Sequence, residues 1–237
     1  MTAEPALRVP RIGVLGGTFD PVHLGHLHAA RQALEVFALP RVLLVPCATP
    51  PHKSRPDLTP AADRLAMLRA AAAGREGLEV SDLEIVRGGV SYTFETLRAL
   101  ASGPAARRPL LILGVDALRE IGTWFRHRDL LREFDLIAVD RPTDGAVPAP
   151  PGPLDLPAEV AARVVPVACD AGAGAAAGAG PGPVPGRIYL VRIAPLPISS
   201  SRVRALAAAG ESLAGLVPDE VARYIQDHGL YRKEARR

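Results

Sequence analysis

The chain has few cysteines, few lysines and few aromatic residues, and it contains no long apolar run. Its two cysteines, Cys47 and Cys169, stand far apart in 237 residues. They make neither a disulfide framework nor a cysteine-rich metal site, so a reduced, cytoplasmic setting is the expectation. No stretch reaches the roughly 18 consecutive apolar residues of a membrane span. The start, "MTAEPALRVPRIGVLGG", lacks the apolar segment and cleavage site of a signal peptide. No membrane partner is expected. The net charge is only +3, and the basic residues are dispersed. Nucleic-acid binding needs them clustered on one face, so no nucleic-acid partner is expected either. The one cluster, "YRKEARR", reads as a solvated end with a basic tail at 233–237.

Lysine is as rare as cysteine. Of the 28 Lys and Arg residues, only Lys53 and Lys233 are lysine. Lys53 lies in the loop "PPHKSR" beside His52. It is either a chance surface lysine or a compact point charge for a phosphate, where arginine would present a planar fork.

Five short apolar runs are present: "IGVL" (12–15), "VLLV" (42–45), "LLIL" (110–113), "LIAV" (136–139) and "IYLV" (188–191). They do not alternate with polar residues, as suits strands buried on both faces of a parallel sheet. Helical patterns fill the intervals. Leu27, Ala30, Leu34 and Phe37 share one face of a helix over 24–38. Thr59 is placed to cap a second helix with Pro60 in its first turn, and Ser91 or Thr93 to cap a third. "ISSS" opens a helix after the last strand, and "PDEVARYIQDHG" has the acidic start and glycine stop of another. The expected fold class is α/β: a Rossmann-like, doubly wound parallel sheet flanked by helices, with a small C-terminal helical part.

One domain is expected over 10–232, after a flexible N-terminus at 1–9. Residues 141–186 are rich in Pro, Gly and Ala, and lack the bulky side chains that offset ordering entropy. They read as an insertion, flexible at about 170–186, with a short helix at 157–165.

The chemistry concentrates in "GGTFDPVHLGHLHAA", 16–30. A strand ends in Gly16-Gly17, a tight loop follows, and a helix begins near Leu24. Glycines let backbone N–H groups approach a ligand, and a helix start attracts anions. His23 and His26 are three apart. Such a pair fits a zinc site, a phosphate clamp or a polar helix face. Zinc needs a third ligand in tetrahedral geometry, and none is evident nearby: His28 falls on another face of the helix, and Asp20 precedes Pro21 in the turn. Two imidazoles at the mouth of a phosphate-binding loop are the favoured reading, because each can donate to a phosphate oxygen.

"GGTFDPVHLGH" resembles the signature of the nucleotidyltransferase superfamily with H-x-G-H. "PPHK" (50–53), "GGVSYTFETL" (88–97), "GVDAL" (114–118), "TWFRHRDLL" (123–131), "ISSSRVR" (198–204) and the closing "VARYIQDHGLY" resemble one branch of it, the bacterial nicotinate-nucleotide adenylyltransferases. The resemblance covers about 10–140 and 187–231. Ser201 stands where that family usually has Thr, which keeps a hydroxyl.

The resemblance implies adenylyl transfer from ATP to nicotinate mononucleotide, giving deamido-NAD and pyrophosphate in NAD biosynthesis. It implies catalytic roles for His23, His26 and Arg204. ATP would be held by Gly16, Gly17, Thr18, Phe19, His23, His26, Asp116, Ile198, Ser199, Ser200 and Arg204. Asp116 just past a strand end could otherwise be a helix cap. Nicotinate mononucleotide would be held by His52, Lys53, Ser91, Tyr92, Thr93 and Trp124, the only Trp, which is otherwise a core residue. Mg2+ would arrive with ATP, with no dedicated metal site and no tightly bound organic cofactor. Alternatives are a nicotinamide-nucleotide or pantetheine-phosphate adenylyltransferase, or an inactive nucleotide-binding regulator. The pantetheine enzyme is a shorter chain and lacks "PPHK" and "SYTFETL". The sequence gives no oligomeric state.

Overall fold

A computed structural model describes residues 11–51, 58–102, 108–140, 156–167, 186–194 and 196–232. Seven parallel strands form one sheet. In chain order they are β1 (Arg11–Gly17), β2 (Val42–Pro46), β3 (Leu78–Val80), β4 (Arg108–Gly114), β5 (Asp135–Asp140), β6 (Val164–Val167) and β7 (Ile188–Arg192). Their spatial order is β3-β2-β1-β4-β5-β7-β6. The order reverses between β1 and β4, whose registered pairs run from Arg11 opposite Arg108 to Leu15 opposite Ile112. Open α/β sheets leave a crevice at the carboxyl ends of the strands at such a switch point.

The continuous apolar runs are explained by two cores, one on each face. On one face Leu15, Leu44, Ile112 and Val139 meet α1 (Leu24–Phe37), α2 (Ala61–Ala72), α8 (Ser200–Ala209) and α9 (Asp219–Asp227). On the other, Ile12, Val14, Leu111 and Leu113 meet Phe94 and Leu97 of α4 (Thr93–Ser102) and Leu130 and Leu131 of α6 (His127–Glu133). Short α3 (Leu83–Arg87), α5 (Val115–Arg119) and α7 (Ala158–Ala161) complete the α-helices described, and Ile121–Thr123 form a 3-10 turn. Gly13 sits between side chains of the two strands that flank β1. A Cβ there would lie 2.7 Å from Val42 Cγ2 and 2.8 Å from Ile112 Cδ1.

Three local expectations need correction. The Pro/Gly/Ala-rich interval is not wholly outside the sheet: α7 ends at Ala161, and β6 pairs with β7 from Val164 to Val167. The expected helix over 157–165 therefore stops four residues early. Pro166 has no N–H to give, which only an edge strand tolerates, and β6 is at the edge. Thr59 does not cap α2. Pro60 holds that position, and Thr59 is buried with its carbonyl accepting from Arg64 Nε at 2.9 Å. Ser91 does not cap α4, because its Oγ accepts from the Ala48 N–H at 2.9 Å. The expected flexible N-terminus, the basic tail and the stretch 170–185 lie outside the described residues.

Candidate active site

The loop after β1 wraps the carboxyl end of the switch point. Phe19 turns it, at a left-handed φ of 50°, which is uncommon for a non-glycine residue. Its ring is buried and meets the His26 ring edge-on at 5.0 Å. Phe19 thus lines the loop through its backbone. Gly17 lies against that ring, which a Cβ would approach to 3.3 Å, whereas the space above Gly16 is open.

His23 is the N-cap residue of α1 and is only 3% exposed. Its ring stacks on His26 with centroids 3.7 Å apart. The His23 N–H donates to His26 Nδ1 at 3.2 Å. That bond makes Nδ1 an acceptor, so in the neutral ring the proton sits on Nε2, the far nitrogen. His26 also forms the wall of a cleft of about 360 Å³, open mouth included, with Leu15, Gly25, Ala29, Gly114 and Val139. The cleft lies over the ends of β1, β4 and β5.

The start of α1 offers less bare backbone than expected. Leu24 N–H donates to Leu216 O and His26 N–H to His23 O, both at 2.9 Å. The linker between α8 and α9 fills that end of the helix, so polarity toward the cleft falls to the imidazoles.

Opposite them stands α8. Ser199 caps it, its side chain accepting from the Arg202 N–H. Ser200 Oγ donates to the Pro21 carbonyl at 2.9 Å. Its hydroxyl proton thus braces the loop. Arg204, one turn on, donates to Asp20 O at 2.6 Å and to Ser201 Oγ at 3.2 Å. Ile198 is buried just before the cap. Asp20 is 2% exposed and accepts on Oδ1 from the Tyr231 hydroxyl at 2.9 Å. Burial, first of all, pushes the Tyr231 phenol above the ordinary tyrosine range. Asp116 is on the rim, 77% exposed and paired with Arg119 at 3.2 Å. The α5 cap is Gly114, so Asp116 is not the cap.

The start of α4 lies across the sheet end. Gly88 and Gly89 turn the chain into it at φ 70° and 69°, which glycine adopts without penalty. Ser91 is buried, with its N–H given to Thr49 O at 2.9 Å. Ser91 is therefore a brace, and Tyr92 and Thr93 head the helix. Trp124 is partly buried against the second core. The ring beside Tyr92 belongs to Phe125, at 4.4 Å, and Phe125 is among the exposed large apolar residues. His52 and Lys53 lie outside the described residues.

Sequence reasoning missed Phe125, Tyr231 and Arg64. The first two stand inside quoted motifs. Arg64 is one arginine among many, yet it is 1% exposed and reaches Thr18, Cys47 and Ala48. Among the described residues no three His, Cys, Asp or Glu side chains gather as a metal site, and no helix is long and apolar enough to cross a membrane.

The chain is similar to known proteins in sequence and in fold. The cytidylyltransferase-like family matches residues 14–206. A protein of Symbiobacterium thermophilum described as a probable nicotinate-nucleotide adenylyltransferase is 42% identical over 93% of this chain and 95% of its own. One of Pseudomonas syringae with the same description is 43% identical over 94% of each. The fold resembles that of Plasmodium falciparum nicotinic acid mononucleotide adenylyltransferase complexed with NaAD, with a TM-score of 0.66 and 19% identity over 94% of this chain and 97% of that one. By descent and by fold, the chain belongs to the nicotinate-nucleotide adenylyltransferase family, within the cytidylyltransferase-like group.

Proposed function

We propose that ATP lies over the ends of β1 and β4, that nicotinate mononucleotide lies at the start of α4, and that the two react in one in-line step. The reaction is that of the family: nicotinate mononucleotide and ATP give deamido-NAD and pyrophosphate, a step of NAD biosynthesis. The observation that carries the reading is His26, on the cleft wall at the strand ends, with its Nδ1 accepting from the His23 N–H.

The nucleophile is the phosphate of nicotinate mononucleotide, already ionised at neutral pH. One of its oxygens bonds to the α-phosphorus of ATP. The bond to the bridging oxygen breaks, and that electron pair leaves with pyrophosphate. No general base and no covalent intermediate are required. The barrier comes from bringing anions together and from charge building on the leaving group, so alignment and electrostatic stabilisation do the catalysis.

In this reading His23 and His26 hold the ATP phosphates, and His26 stabilises the transition state. Gly16, Gly17, Thr18 and Phe19 contribute backbone. Ile198, Ser199, Ser200 and the first turn of α8 form a second anion platform. Arg204 grips the departing phosphates. A guanidinium has five donors, so its bonds to Asp20 and Ser201 leave capacity for a ligand. Asp116 approaches ATP from the rim. Mg2+, carried in by ATP, would neutralise phosphate charge. The residues at hand suit an ion that arrives on its substrate, since Asp116 is a single exposed carboxylate.

The acceptor carboxylate is read by the backbone N–H groups of Tyr92 and Thr93, with Ser91 as brace. A helix start contributes roughly 0.3–2 kcal/mol to an anion. Trp124, with Phe125 and Tyr92 nearby, covers the pyridine ring. His52 and Lys53 are assigned to the nucleotide phosphate by the resemblance of their motif, "PPHK".

Intact-mass spectrometry tests the single step. Incubation with ATP alone should leave the protein mass unchanged, and adding nicotinate mononucleotide should yield deamido-NAD and pyrophosphate in equal amounts. A protein carrying one covalent AMP would overturn the in-line mechanism.

A further inference from the structure

We propose that Arg64 is a positioning residue, which fixes the ATP loop and the acceptor loop at one mutual distance. Arg64 lies in α2 and touches neither proposed half-site through solvent, being 1% exposed. Its Nε donates to Thr59 O at 2.9 Å. One terminal nitrogen donates to Thr18 O and to Cys47 O, both at 2.8 Å, and the other to Ala48 O at 3.1 Å. These four acceptors are backbone carbonyls, and the first terminal nitrogen also reaches Cys47 Sγ at 3.8 Å. The carbonyls belong to the loop after β1, the loop after β2 and the approach to α2.

The second loop carries the link onward. Ala48 N–H donates to Ser91 Oγ, and Ser91 N–H donates to Thr49 O, each at 2.9 Å. Two residues later α4 begins. A single guanidinium thus joins Thr18, in the loop assigned to ATP, to the brace of the helix start assigned to nicotinate. In-line transfer depends on the separation of the reacting atoms, and a misplacement of about 1 Å costs about 10²-fold in rate. The fork shape matters. Lysine has three donors around one point and cannot span carbonyls on separate loops, whereas the planar guanidinium has five. A buried cation costs too much to be kept without such bonding.

The proposal rests on the two half-sites assigned above. It predicts a split between binding and turnover. In R64K and R64Q, kcat should fall about 10- to 100-fold. Dissociation constants for ATP alone and for nicotinate mononucleotide alone, measured by calorimetry, should stay within about twofold of wild type, because each half-site remains intact. R64A should regain part of its kcat in millimolar guanidinium. Circular dichroism reports folding of each variant. Weakened binding of one substrate in proportion to the loss of turnover would overturn the proposal. So would unchanged kcat, or failure of all three variants to fold, since a residue needed only for alignment is dispensable for the fold. Wild-type protein that does not use nicotinate mononucleotide would instead sink the assignment of the half-sites.

Discussion

Tyr231, near the end of the chain, donates its hydroxyl to Asp20 Oδ1 at 2.9 Å, across 211 residues of sequence. Asp20 in turn accepts from Arg204 through its carbonyl. The turn after α9 therefore steadies the loop that carries His23 and the arginine proposed to hold the leaving group. Y231F removes the hydroxyl and leaves a buried carboxylate with one donor fewer. Stability should drop by about 1–3 kcal/mol at neutral pH, as urea denaturation would measure.

The same pair gives a pH signature. Burial raises the Tyr231 phenol, so the folded state holds that proton more tightly than the unfolded chain does. A raised folded value adds stability below the ordinary tyrosine range near pH 10, and this is lost as pH climbs beyond it. Between about pH 9.5 and 11.5, wild type should lose stability more steeply than Y231F. Parallel slopes in denaturation series across that window would contradict the assignment.

His26 should matter to rate far more than to folding. H26A removes the imidazole on the cleft wall while His23 still caps α1. Turnover of pyrophosphate release should fall at least about 100-fold, with circular dichroism unchanged. Wild-type turnover in a folded H26A would remove His26 from the mechanism.

The strands were legible wherever an apolar run was long enough. β1, β2, β4, β5 and β7 each contain one of the five runs. β3 spans only Leu78–Val80, too short to leave a pattern, and β6 contains a proline that argues against a strand unless its edge position is known. The site divides the same way. His23, His26 and Arg204, the residues proposed to carry the chemistry, stand in local motifs. Arg64 carries a long-range role that its neighbours in sequence do not reveal, because a buried arginine and a surface arginine share one letter. The bracing roles of Ser91 and Ser200 emerged only with their partners, Ala48 and Pro21.

Gly186 leads into β7 through a backbone turn that only glycine fits. It sits at φ 102°, and a Cβ would strike the Leu131 carbonyl, while its N–H and that of Arg187 both bond Asp135 Oδ1 at 3.0 Å. G186A should cost roughly 1–3 kcal/mol or more from backbone strain and the clash, read by chemical denaturation.

Replacing residues 170–185 by a short Gly/Ser bridge, with Gly186 kept, should leave pyrophosphate release within about threefold of wild type, since no residue assigned to the site lies there. Loss of activity in a folded deletion would give the insertion a part in the site.

The most direct measurement is pyrophosphate release with ATP and Mg2+ and three acceptors in parallel: nicotinate mononucleotide, nicotinamide mononucleotide and phosphopantetheine. Release mainly with nicotinate mononucleotide is the predicted result, since the helix start at Tyr92 and Thr93 is proposed to read a carboxylate that the other two lack at that position. Release mainly with either of the others would keep the ATP half of the site and contradict the acceptor half.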